Sequence, residues 1–185
     1  MKYSKKSANG LMEKLIFGLI VLQLTMPLKA QEFETHENNM AFMSDGIALK
    51  HDLYIPSNEG TFPTILIRTP YNKINKSSIG EWFAKNGYAV VIQDTRGKYM
   101  SEGANFPLHP EKRDGLETID WIINQEWSDG NVGMYGPSYL AFCGLILTPE
   151  NHPALKTVIS LSGVSDVYNI AFPNGSLNLL SVFSW

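Results

Sequence analysis

The chain has 185 residues, 44% hydrophobic and 18% charged, with a formal net charge of −3. That balance suits one globular domain with a buried core, and it excludes disordered, fibrous and strongly basic nucleic-acid-binding classes. The single cysteine, Cys143, excludes an internal disulfide framework. It stands in the apolar run Leu140–Leu147 and reads as a small buried hydrophobe rather than a nucleophile.

The first thirty residues read as an address. Lys2, Lys5, Lys6 and Lys14 precede the apolar run LIFGLIVLQLTMPL, and Lys29, Ala30 and Gln31 close it. A basic start, a short apolar middle and a small residue before a polar one are the marks of a secretory signal peptide, with cleavage expected after Ala30. Fourteen helical residues reach about 21 Å, short of a hydrocarbon core of about 30 Å. The alternative is an uncleaved anchor, the one membrane contact expected. Residues 1–30 are therefore set apart from the fold, and an exported protein, periplasmic or extracellular, is expected.

The remainder alternates in type. Met40–Met43 and Ile47–Ile55 are strand-like and flank the turn signal Ser44-Asp45-Gly46. Pro63–Arg68 is a short apolar strand. Ser78–Asn86 reads as a helix, with Gly87 at its end and Trp82, Phe83 and Tyr88 as core candidates. Tyr88–Gln93 is another buried strand. Glu111–Gln125 places Leu116, Ile119, Ile122 and Ile123 on one helical face. Asp129-Gly130 marks a turn, Val132–Tyr135 a strand, Tyr139–Leu147 a helix and Thr157–Leu161 a strand. This order, with apolar runs that do not alternate, predicts an α/β domain around a mainly parallel sheet.

The motif that carries chemistry is Gly136-Pro137-Ser138-Tyr139-Leu140-Ala141. It lies where a strand passes into an apolar helix. A serine on such a turn projects its hydroxyl above the sheet, beside the unpaired N–H groups of the helix start. Those groups can stabilise a developing oxyanion. Gly136 and Ala141 are expected to be small because helix and strand pass closely. On these six residues alone, Ser138 as a simple helix cap remains open.

The longer stretch WSDGNVGMYGPSYLA, residues 127–141, resembles the elbow region of the cocaine esterase / X-Pro dipeptidyl-peptidase hydrolases, an α/β-hydrolase family. Ala141 stands where that family has glycine. RTPYNK (68–73), DTRGKYMSEG (94–103), EKRDGLETIDWIINQEWSDG (111–130) and DGIALKHDLYIP (45–56) resemble other segments of the family. The resemblance implies Ser138 as nucleophile, the Tyr71 phenol as one oxyanion donor and the backbone N–H of Tyr139 as the other. Asp94 and Arg96 read as a structural pair holding a loop, and Trp127 as core. It implies an ester, amide or peptide substrate cleaved through an acyl-enzyme, and no cofactor. No paired-histidine or CxxC spacing points to a metal.

A serine nucleophile needs a base oriented by an acid, which in this fold follow in the order Ser, Asp or Glu, His. Only His152 follows Ser138. It comes after the elbow helix, too far to reach the hydroxyl, and reads as part of a surface turn. His36, His51 and His109 stand in the wrong order. Asp166 resembles a non-catalytic position of the family. The resemblance implies that acid and base belong to sequence beyond Trp185, so the chain reads as an N-terminal piece, inactive alone. The alternative is a non-catalytic binding protein on a partial hydrolase fold.

Overall fold

A computed structural model describes residues 31–164 and 166–179. The signal segment lies outside the described residues. Among the described residues six strands form one sheet: β1 (Phe33–Phe42), β2 (Ala48–Pro56), β3 (Phe62–Thr69), β4 (Ala89–Asp94), β5 (Ser128–Pro137) and β6 (Leu155–Leu161), in the order β1-β2-β4-β3-β5-β6. β2 runs antiparallel to β1 and β4, and β4, β3, β5 and β6 are parallel to one another. The helices are α1 (Ser77–Ala84), α2 (Glu111–Ile123), α3 (Tyr139–Leu145) and the short α4 (Val167–Ala171).

The parallel strands at the centre are buried on both faces, which is why their sequences run apolar without alternation. Ile65, Ile67, Val90 and Ile92 pack on one face with Ala84, Ile79 and Phe83 of α1. Leu66, Val91, Val132 and Met134 pack on the other with Ile119 and Ile122 of α2 and with Tyr139 and Cys143 of α3. Each fully buried aliphatic side chain contributes about 1.5–3 kcal/mol. Among the described residues no helix is long and apolar enough to cross a membrane.

Several boundaries differ from the sequence expectation. β1 begins at Phe33, seven residues earlier than expected, because its polar residues Glu34, Thr35, His36 and Glu37 lie on an exposed edge. β1 and β2 pair with a bulge between His36 and Asn39. Asp129-Gly130 is not a turn between elements. It forms a bulge within β5, where Gly130 takes φ +83° and the register against β3 shifts. Trp82 is 60% exposed and Tyr88 is 37% exposed, so neither is core. Both lie at the solvent side of Phe83, whose ring makes edge contacts with them. Trp127 is partly buried against Trp121 and the α2-side core. Gly87 closes α1 at φ +89°.

A row of polar side chains crosses the sheet's interior. His51 on β2 pairs in register with Gln93 on β4, which pairs with Arg68 on β3, and all three are fully buried. Gln93 Oε1 accepts from Arg68 Nε at 2.9 Å and from Thr118 Oγ1 at 3.2 Å. The His51 ring packs edge-on against Trp121 at 4.6 Å. Burial lowers the His51 pKa to about 4. The unfolded chain binds that proton near pH 6.5, so stability is present above 6.5 and drains away as pH falls toward 4. The expected loss is about 1.4 kcal/mol per pH unit, about 3 kcal/mol in all. In urea unfolding between pH 7 and 4, His51→Phe is expected to remove this part of the pH slope; an unchanged slope refutes the assignment.

Candidate functional site

β5 gives way to α3 with one residue between them. That residue, Ser138, is exposed and takes φ +55°, ψ −120°. A non-glycine residue in this region is strained by about 1–3 kcal/mol and persists only where its surroundings over-determine it. Here they do. Ser138 N donates to Leu161 O of β6 at 2.9 Å, and Ser138 O accepts from Phe142 N at 3.0 Å. Two positions earlier, a Cβ on Gly136 would sit 2.2 Å from the Cβ of Leu140. Only glycine permits the strand to run that close to the helix it enters. Ala141 has its own close neighbour, since a Cβ on Gly163 would lie 2.9 Å from the Ala141 Cβ.

The second component is the loop after β3. β3 and β5 are parallel, with Leu66 opposite Met134. Three residues further along each strand, Thr69 and Pro137 end at the same edge of the sheet, so Tyr71 and Ser138 leave it side by side. The Tyr71 ring meets the Tyr139 ring at 6.5 Å, edge to face. Tyr71 N donates to Thr69 Oγ1 at 3.1 Å, and Asn75 Nδ2 donates to Tyr71 O at 2.9 Å. Lys73, 2% exposed, anchors the loop from below. Its N–H donates to Asp94 Oδ1 at 2.8 Å, and its ammonium donates to Asp52 at 2.7 Å and to Asn38 Oδ1 at 2.8 Å.

The third component is α2, whose first turn presents two buried acids. Glu111 Oε2 lies 2.8 Å from Arg68 NH1. Glu111 Oε1 accepts from the Tyr139 phenol at 2.9 Å, and that phenol accepts from Leu108 N at 3.0 Å. Burial and the Glu111 charge push the Tyr139 phenol well above its ordinary range, so it stays neutral. Cys143 is fully buried with its Sγ 3.7 Å from Glu111, and burial followed by that charge raises its thiol as well. It is a packed thiol with no access to a substrate.

Arg96 does not pair with Asp94, contrary to the sequence expectation. Its guanidinium grips Asp114 at 2.7 and 2.9 Å and Asp45 at 2.9 Å, because the loop after β4 doubles back toward α2. Arg96 also holds the Asp45 carboxyl below the usual carboxylate range. Asp94 works on its own, fixing the Lys73 amide. The doubling back needs Gly97, at φ +68°, where a Cβ would stand 2.3 Å from Asn105 N.

The histidines lie apart from Ser138. His152 precedes β6 at the opposite end of the sheet. Leu155, three residues on, pairs with Val132, while Leu161 pairs with Pro137, and β6 rises about 20 Å between them. His152 is also less of a surface residue than expected. Its side chain is 13% exposed, with Nε2 3.0 Å from Asp120 and Nδ1 accepting from Ala154 N. His51 is buried under α2, while His36 and His109 are exposed. Asp166 caps α4, accepting from Asn169 N at 3.0 Å. Among the described residues no group of three or more His, Cys, Asp and Glu side chains is placed to hold a metal ion.

Nothing local in the sequence marks Arg68, Glu111, Lys73 or Asp52 as part of the site. Arg68 is a cation ending an apolar strand, and Glu111 an acid opening an apolar-faced helix. Neither pattern names a partner.

The sequence profile of X-Pro dipeptidyl-peptidase (S15 family) matches residues 45–185. The chain is 36% identical over 161 residues to a cocaine esterase of Rhodococcus sp. (strain MB1 Bresler), which covers 83% of this chain and 28% of the esterase. It is 30% identical over 124 residues to a putative Xaa-Pro dipeptidyl-peptidase of Bacillus anthracis, covering 58% of this chain and 20% of the peptidase. A crystal structure of a CocE/NonD family hydrolase from Staphylococcus aureus superposes with a TM-score of 0.69 at 29% identity, over 75% of this chain and 29% of that one. The chain thus spans less than a third of the length of each of these relatives. With an α/β-hydrolase sheet and a matched profile over most of its length, the chain belongs to the X-Pro dipeptidyl-peptidase (S15) family of hydrolases.

Proposed function

We propose that this chain carries the nucleophile and the oxyanion hole of an exported serine hydrolase acting on small esters, amides or peptides. The observation that carries the reading is Ser138, exposed and held at φ +55° on the strand-to-helix turn. Its Oγ attacks the substrate carbonyl carbon as a base takes the hydroxyl proton. The carbonyl oxygen becomes an oxyanion, stabilised by the Tyr139 backbone N–H and the Tyr71 phenol O–H. Collapse expels the alcohol or amine with the proton returned to it, leaving Ser138 acylated. Water, giving a proton to the base, then attacks the acyl carbon; the bond to Oγ breaks, the acyl group leaves as the carboxylic acid, and the proton passes to Oγ to restore the serine. The base and its orienting acid come from sequence outside these 185 residues, and the chain by itself turns over little substrate. The names of the relatives support esters and X-Pro peptides as the substrate classes to try first.

The protein expressed from its full reading frame is the material for the test, with p-nitrophenyl acetate as substrate and a fluorophosphonate as label. Ser138→Ala is expected to abolish labelling and to lower kcat by at least about 10³-fold. Tyr71→Phe is expected to lower kcat by about 10²–10³-fold while the protein still folds. A Ser138→Ala protein that keeps its rate refutes the assignment; a folded wild type that never labels favours a binding protein. Gly136→Ala drives a methyl into Leu140 and is expected to cost about 1–3 kcal/mol of stability, seen as a lower Tm.

A further inference from the structure

The oxyanion hole proposed above needs two donors held at a fixed separation, yet they come from different elements. Tyr71 belongs to the loop after β3, and the Tyr139 N–H belongs to the first turn of α3. The hydrogen bonds of the Ser138 backbone tie that turn to β6 and to its own helix. α3 is seven residues long, and no side chain at its N-cap bonds to its backbone. The residue before it is strained. A misplacement of about 1 Å in such a site can lower the rate by about a hundredfold.

The two donors are joined underneath by one set of buried polar contacts. Arg68 lies on β3 three residues before Tyr71 and is fully buried. Its guanidinium donates to the Glu111 backbone carbonyl at 2.8 Å and pairs with the Glu111 carboxylate at 2.8 Å. The other carboxylate oxygen receives the Tyr139 phenol. Arg68 Nε is fixed in turn on Gln93. The route from one donor's strand to the other donor's own side chain is therefore three residues long and shielded from water.

We propose that Arg68 and Glu111, acting through the Tyr139 phenol, are positioning residues that set the separation of the two oxyanion donors. This rests on the serine-hydrolase reading of Ser138. A buried ion pair is often no more stabilising than apolar residues of the same size. The contribution of this pair is to geometry: the Tyr139 ring would pack equally well without its hydroxyl, but its amide would lose the tie to β3.

The test again uses the protein from its full reading frame, with p-nitrophenyl acetate and a fluorophosphonate. Tyr139→Phe keeps the ring and the backbone N–H and removes only the tie. It is expected to lower kcat about tenfold with KM within about twofold, and to slow Ser138 labelling in parallel. The double variant Arg68→Met with Glu111→Leu replaces the pair by apolar residues. It is expected to keep its Tm and to lose kcat by a similar factor. A Tyr139→Phe protein with unchanged kcat and labelling overturns the proposal, whatever happens to its Tm. So does a folded double variant that hydrolyses as fast as wild type. If Ser138→Ala keeps its activity, the serine-hydrolase reading fails and takes this one with it; if Ser138 is essential and Tyr139→Phe is unimpaired, only the brace falls.

Discussion

A strand that turns into a helix within one residue leaves almost no freedom for the residue between them. Ser138 sits at that point, and its backbone is bound on one side to β6 and on the other to the helix it opens. The strained conformation persists because hydrogen bonds hold the Ser138 backbone on both sides and because Gly136 lets Leu140 approach without a clash. Elements on either side of the turn are placed by it. β6 is tied to it through Leu161, α3 begins from it, and the loop after β3 opens beside it because β3 and β5 run in parallel register.

Below this turn the apolar interior encloses a set of paired polar groups. Arg68, Glu111, Gln93 and Asp114 are buried and answer one another, while Lys73 answers Asp52 and Asn38. Burying such groups is costly unless each finds a partner. The partners here come from four strands, α2 and the loop after β3, so the network forms only once the sheet, that loop and α2 are assembled. Its position, under the two loops that would meet a substrate, links packing to function. The Tyr71 loop is fixed by Lys73, and the Tyr139 turn by Glu111.

β6 holds Ser138 through the Leu161 carbonyl, and Gly163 just beyond it lies against Ala141.

Much of this is legible in the amino-acid sequence alone. Unbroken apolar runs at Pro63–Arg68 and Tyr88–Gln93 specify strands covered on both faces, since only such strands have no use for alternation. The spacing of Ile119 and Ile122 specifies a helix with one buried side. Gly136-Pro137-Ser138, set between a strand and a helix, specifies the turn and its serine. Local pattern failed where tertiary position overrides it. Trp82 is as apolar as any core residue but falls on the solvent side of α1, and polar Glu34–Glu37 form a strand because the sheet's edge tolerates water. Pairing was beyond the sequence altogether: that Arg96 reaches Asp114 and Asp45 rather than Asp94, and that Arg68 meets Glu111, follows from which segments the fold brings together. Sequence determined the elements and the reactive turn because those depend on neighbours a few residues away. Only the tertiary structure decided which buried charges meet, because those partners lie 18 to 51 residues apart and are chosen by the order of strands in the sheet.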